Sequence, residues 1–243
     1  MKNIIILIFI TVILLVLINN KEEHFQNNNW FNDNIDLYYI NLDISNDRRQ
    51  NMEKQLKKIN INYKRFKAYN GKLIDKKFSN NLTKRFDTIN YNSHIYKNKK
   101  GSLGNFISQM TCWYDFYLNS KKDYLMVMED DIIINHNFNF ENIKKIIKSL
   151  KNKDWTMIKL FYFGKNQGIN INSYLNKAIS KNYNERHNTG MQCYILNKKN
   201  IPSLIEDITP IANKTFDVTI KKIMIKHNVY ITKDKYVSTP EHN

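Results

Sequence analysis

The sequence predicts an α/β fold organised around a mostly parallel sheet, and three features predict it. Apolar runs of strand length alternate with segments of helical period from residue 35 to residue 231. The series opens on a β-α-β pattern, and right-handed crossover then sets two parallel strands side by side with a helix over one face. No internal repeat is visible, and the length suffices for one domain with a real core.

Residues 35–42 (IDLYYINL) form a β-rich apolar run that ends in Asn41, Leu42 and Asp43. Ser45 or Asn46 can then cap a helix whose Met52, Leu56 and Ile59 fall at i, i+4 and i+7. Residues 63–69 alternate like a strand and stop at the turn dipeptide Asn70-Gly71. Residues 72–100 carry no clear period and read as a long irregular loop, the kind that often covers a binding site. A helix is expected over 102–118, with Leu103, Phe106, Met110, Trp113 and Tyr117 on one face, followed by a strand from Tyr124. Further helices are expected over 140–150, 198–207 and 216–227, and further strands over 155–163, 192–196 and 228–231. Trp113 and Trp155 fall at core positions.

Ahead of this domain, residues 4–18 are apolar apart from Thr11. Such a helix is roughly 23 Å long, short of the ~30 Å hydrocarbon core, which leaves a membrane anchor and a signal peptide both open. No small-residue cleavage pattern follows, and Asn19 to Glu23 favour an uncleaved anchor. Lys2 and the α-amine precede the segment, which implies a single-pass type II arrangement with the domain lumenal or extracytoplasmic, or secreted if the segment is cleaved. The expected organisation is a signal anchor or transmembrane helix at 1–20, a stalk at 21–34 and the domain at 35–243.

The acidic triplet Glu129, Asp130, Asp131 follows the apolar run 124–128 and precedes three isoleucines. Adjacent carboxylates at the end of a buried strand cost stability unless a cation or strong donors neutralise them. Hard oxygen ligands suit Mg²⁺ or Mn²⁺; a solvated acidic turn is the alternative. Asn41 and Asp43 also sit at a predicted strand end, where α/β sheets bind ligands. Arg48 and Arg49 lie in the first turn of the first helix, against its positive pole, and an anionic ligand at that helix start would account for them.

These residues resemble a known family. Tyr39-Ile40-Asn41-Leu42-Asp43, then Asp47-Arg48-Arg49 and Met52, then 65–71 (RFKAYNG), resemble the opening of glycosyltransferase family 25. That family holds lipooligosaccharide galactosyltransferases and collagen hydroxylysine galactosyl- and glucosyltransferases. Residues 101–108 (GSLGNFIS) with Trp113, 124–131 (YLMVMEDD), 188–196 (NTGMQCYIL) and 216–218 (FDV) are similar to its later segments, in the same order. Two departures stand out. Gln109 occupies a position where many members carry His, and Thr215-Phe216-Asp217 replaces the usual Pro-x-Asp.

The resemblance implies a GT-A-like fold with a nucleotide-binding sheet, a divalent cation (Mn²⁺ or Mg²⁺) and a UDP-sugar donor. Galactose or glucose would pass to a glycan, a lipid-linked glycan or a protein hydroxyl acceptor. It assigns the metal to Glu129 and Asp131, and the donor to Asn41, Asp43, Arg48, Arg49 and Asp130. Inverting transfer needs a base for the acceptor hydroxyl, for which Asp217 is the candidate, with Glu185 and His187 as alternatives. An N-cap role for Asp217 is equally open. His242 could reach the metal, although it sits close to the terminus. The competing function is a catalytically inactive relative that binds glycans or acts as a membrane-tethered scaffold, a reading kept open by Gln109.

A formal charge of +16 first suggests nucleic acid. The lysines are spread along the chain rather than blocked together, so no nucleic-acid partner is expected; an anionic sugar nucleotide or an acidic membrane surface explains the field equally well. Cys112 and Cys193 lie in apolar segments and read as core thiols, and no Cys/His set has zinc spacing.

Overall fold

A computed structural model describes residues 9–14, 30–179 and 187–240. The predicted β-α-β opening is present as β1 (Ile35–Asn41), α1 (Asn46–Lys58) and β2 (Lys64–Lys67), with β2 parallel to β1. Two short helices follow, α2 (Asn81–Arg85) and α3 (His94–Asn98), then the long α4 (Lys100–Asn119). After β3 (Tyr124–Glu129), β4 (Ile133–Ile134) and α5 (Phe140–Lys148) come three strands, β5 (Met157–Lys159), β6 (Gly168–Asn170) and β7 (Leu175–Ala178). The chain continues through β8 (Cys193–Asn197), α6 (Ile201–Ile208), α7 (Phe216–Ile223), β9 (Val229–Thr232) and β10 (Val237–Ser238).

Eight strands form one sheet in the order β2-β1-β3-β8-β5-β9-β7-β6. β8 pairs antiparallel with both β3 and β5, and β7 antiparallel with both β9 and β6, while the other pairings are parallel. The sheet is therefore mainly parallel in strand direction, with reversed strands inserted at two places. β4 and β10 make a separate two-stranded ladder.

The two faces of the sheet bury separate cores, and strand alternation decides which residue serves which. Ile35, Leu37 and Tyr39 of β1 join Met126 and Met128 of β3 under α1 and α5. Tyr38 and Ile40 join Leu125 and Val127 under α4, α6 and α7. Trp113 and Trp155 are both buried, as expected, and Cys112 and Cys193 are buried free thiols.

Three expectations need correction. The segment 72–100 is not an irregular loop, because Asn80 and Ser93 cap two short helices through their side chains. The expected strand over 155–163 pairs as a strand only at Met157–Lys159, and β6 and β7 carry too little apolar character to be foreseen. Residues 30–34, assigned to the stalk, are helical, and Phe31 is fully buried with its ring 5.2 Å from Phe140. Among the described residues no helix is long and apolar enough to cross a membrane. The apolar segment 4–18 lies outside the described residues except for 9–14, which are helical and exposed.

One close contact positions the site. A Cβ on Gly104 would meet Gly71 N and Tyr69 O at 2.6 Å, and one on Gly71 would meet Gly104 N at 2.7 Å. The turn after β2 thus rests backbone-to-backbone on the first turns of α4, which only two glycines permit. Ser108 Oγ fixes the same junction, donating to Gly104 O at 2.6 Å and accepting from Tyr69 N at 2.7 Å.

Candidate active site

β1 and β3 are parallel neighbours, so the residues leaving their carboxyl ends come together. They border a cleft of about 260 Å³ completed by Tyr69, Asn70 and Gly71 after β2 and by Asn105 and Gln109 on α4. Glu129, Asp130 and Asp131 all line it. β3 ends at Glu129, and the two aspartates fall in the turn that follows, which lets three consecutive side chains share one cavity.

Their partners differ. Glu129 projects on the α4 side, where Gln109 Nε2 donates to its Oε1 at 3.0 Å and Asn105 Nδ2 lies 3.5 Å from the same oxygen. Asp130 faces β1 and accepts from Asn41 Nδ2 at 2.6 Å and from Arg48 at 3.4 Å. Arg48 also lies 3.8 Å from Asp131. A single exposed guanidinium therefore spans both aspartates.

Burial leads the electrostatics, and like charge adds to it at Glu129. Burial, and then the charges of Asp131, Asp217 and Asp130, push the Glu129 carboxyl up to about 8 against the hydrogen bond from Asn105. Burial also raises the Asp217 carboxyl, and the nearby Lys159 ammonium partly offsets it. Lys159 is itself fully buried and brought down to about 7 by that burial, with Nζ donating to Asn188 O at 2.5 Å. Asp217 thus acts electrostatically on both Glu129 and Lys159.

The other residues expected at the site divide into those that face the cleft and those that support it. Arg48 lines it, but Arg49 turns away to pair with Glu53 at 2.9 Å. Asn41 is buried and acts as a clamp, holding Asp130 through Nδ2 while its Oδ1 accepts from Arg65 Nε at 2.9 Å. Asp43 is bound by Arg65 at 2.6 Å and Lys67 at 2.5 Å and borders an adjoining depression of about 340 Å³. Asp217 is the second residue of α7; the cap position belongs to Thr215, so the N-cap alternative for Asp217 does not hold. His187 Nδ1 accepts from Lys165 N at 2.9 Å, while Glu185 and His242 lie outside the described residues.

Two features of the site were not foreseen. Trp113 Nε1 donates to Tyr194 OH at 2.7 Å, and Tyr194 OH donates in turn to Gln109 Oε1. An indole N–H can only donate, so the direction of the chain is fixed and the Gln109 amide must present its NH₂ to Glu129. The residue that departs from the family pattern is built into the support of the acidic triplet. Lys159 is the second, and a lone lysine inside an otherwise apolar run was the signal available for it.

Among the described residues no group of three or more His, Cys, Asp or Glu side chains could hold a metal ion by itself. The donor set instead fits a hard dication that takes one or two carboxylates and completes its shell with substrate oxygens and water. Glu129 and Asp131 are the residues that could supply those carboxylates, since Asn41 and Arg48 occupy both oxygens of Asp130 while the amides of Gln109 and Asn105 share one oxygen of Glu129.

The model of a family described as glycosyltransferase family 25 (LPS biosynthesis protein) matches residues 34–224. The chain belongs to this family. Two solved structures are similar to it: A197 from STIV, at 10% identity over 82% of this chain and 81% of that chain with a TM-score of 0.40, and a glycosyltransferase involved in the glycosylation of the major capsid of PBCV-1, at 7% identity over 82% and 93% with a TM-score of 0.38. No curated protein matches the sequence. As a family 25 glycosyltransferase the protein takes a nucleotide-sugar donor and a glycan acceptor, and its matched region contains the whole cleft described above.

Proposed function

We propose that this family 25 glycosyltransferase moves a hexose, galactose or glucose, from a UDP-sugar to a hydroxyl of a glycan, lipid-linked glycan or protein. The observation that carries the reading is the convergence of Glu129, Asp130, Asp131 and Arg48 on one cleft, with Asp217 in electrostatic contact with Glu129. Arg48 faces the diphosphate, and the backbone after β2 borders the nucleoside. Asp217 takes the proton of the acceptor hydroxyl as its oxygen bonds to the anomeric carbon. The bond from that carbon to the phosphate oxygen breaks, and the nucleoside diphosphate leaves with the electron pair. A raised carboxyl suits a general base working near neutral pH. When bound, Mn²⁺ or Mg²⁺ on Glu129 and Asp131 would supply Lewis-acid stabilisation of the departing diphosphate.

A donor screen with and without Mn²⁺ tests the reading. Turnover of a UDP-hexose should depend on metal and fall roughly 10²- to 10³-fold in Asp131→Ala, the scale of losing one preorganised charge contact. Absence of turnover with every common UDP-hexose in Mn²⁺ would leave the inactive, glycan-binding relative in its place. We further propose that residues 4–18 tether the domain to a membrane in the type II sense, on the strength of their apolar run and the preceding Lys2.

A further inference from the structure

The end of the sheet opposite the carboxylates holds a second cleft of about 740 Å³. It lies where β3 begins and β8 ends, about 17 Å from Glu129 at the rise of an extended strand. Lys148, Lys151, Lys153, Lys198 and Lys199 line it, against a single acidic lining residue, Asp123. Lys199 pairs with Asp154 at 2.8 Å, and Lys198 donates to Ser120 O. Lys148, Lys151 and Lys153 are exposed, and none has an acidic partner among the described residues.

Aromatic and apolar groups border the same place. Tyr124 stacks on Trp155 at 5.4 Å, Trp30 is partly exposed, and Tyr117 and Leu118 are 36% and 48% exposed at the end of α4. Exposed lysines beside tryptophan and tyrosine make the composition of a bilayer interface. Trp30 is also where the chain enters the domain, and the 11 residues from 19 to 29 join it to the apolar segment. Fully extended they reach at most about 40 Å.

We infer that this end of the domain docks on anionic phospholipid headgroups, which turns the carboxylate cleft away from the bilayer. The orientation rests on the tether proposed above; the lysine contact with anionic lipid does not. Lysines near an anionic surface each contribute roughly fivefold to binding, and salt weakens them.

The full chain can be placed in nanodiscs of phosphatidylcholine with brominated acyl chains, with or without phosphatidylglycerol, and its tryptophan emission followed. Quenching should strengthen with phosphatidylglycerol, fade at high salt, and lose most of its phosphatidylglycerol dependence in K148Q/K151Q/K153Q. Those side chains are exposed, and emission without lipid checks that the variant is folded. Equal quenching of wild type and variant, or quenching indifferent to phosphatidylglycerol, would overturn the inference. Release of the wild type by inorganic phosphate, but not by chloride at the same ionic strength, would also overturn it, by assigning the lysines to a soluble anion. Failure to associate with neutral discs would remove the tether alone, since docking would still show as retention that requires phosphatidylglycerol and the three lysines.

Discussion

The two ends of the central sheet carry opposite charge, and they differ more in how that charge is housed than in its sign. At the carboxyl ends of β1 and β3, Glu129 has, among the described residues, amide donors alone at hydrogen-bonding distance and three nearby carboxylates acting against its ionisation. At the other end, Lys148, Lys151 and Lys153 stand in water. Charge in water is screened and costs little; crowded charge partly withdrawn from water waits for a counter-ion. The first end is therefore built for tight, directional binding of a ligand that brings positive charge or removes negative charge. The second suits a broad surface contact. Substitutions that test the difference should affect chemistry at one end and leave it untouched at the other.

The largest effect should come from Asp217→Asn. The amide keeps the shape and loses the base, so kcat for transfer should fall on the order of 10³-fold with the donor KM little changed. A loss under tenfold would reassign Asp217 to the support of Lys159 and send the search for the base to His187. K148Q/K151Q/K153Q, at the opposite end, should leave kcat with a soluble acceptor unchanged.

A smaller effect is expected along the chain from Trp113 to Glu129. Gln109→Leu removes the only donor between Tyr194 and Glu129, so kcat should drop roughly tenfold, the value of one charge-assisted hydrogen bond that orients the carboxylate. Tyr194→Phe keeps the amide but frees its orientation, and its loss should be milder. Equal losses in the two variants would mean that the core is disturbed rather than Glu129 misplaced, and an unfolding midpoint measured alongside would show it.

Much of this arrangement was legible in the sequence. The acidic triplet, the strand before it and the arginine-bearing helix after β1 each leave a local pattern, and the parallel neighbours β1 and β3 bring them together. The reversed direction of β8 left no such mark, because period-2 alternation reads the same in either direction. Lys159 could be seen as unusual but not understood. Its partner is the carbonyl of Asn188, a residue distant in sequence with φ of 59° that tertiary packing alone places there. Gln109 was visible as a departure from the family pattern. Its meaning depended on Tyr194, which comes from the strand across the sheet.

The last effect is on stability, and pH separates it from catalysis. Glu129 ionises near 4.5 when unfolded and at about 8 in the folded, metal-free protein. Below the lower value both states hold the proton, and the group is indifferent to folding. Between the two values the folded state keeps a proton that the unfolded state has released, so stability falls as pH rises and the loss is complete above about 8. Glu129→Gln cannot titrate. Its unfolding free energy from urea titration in chelator should match that of the wild type near pH 4.5 and exceed it at pH 8, by on the order of 1–3 kcal/mol. Lys159, brought down to about 7, gains stability as pH rises through that value, but it is common to both proteins and drops out of the difference. Mn²⁺ should close the gap by stabilising the wild type more than the variant. Parallel midpoints across the pH range would show that Glu129 is solvated like the lysines at the other end, and the contrast between the two ends would fail at its most sensitive residue.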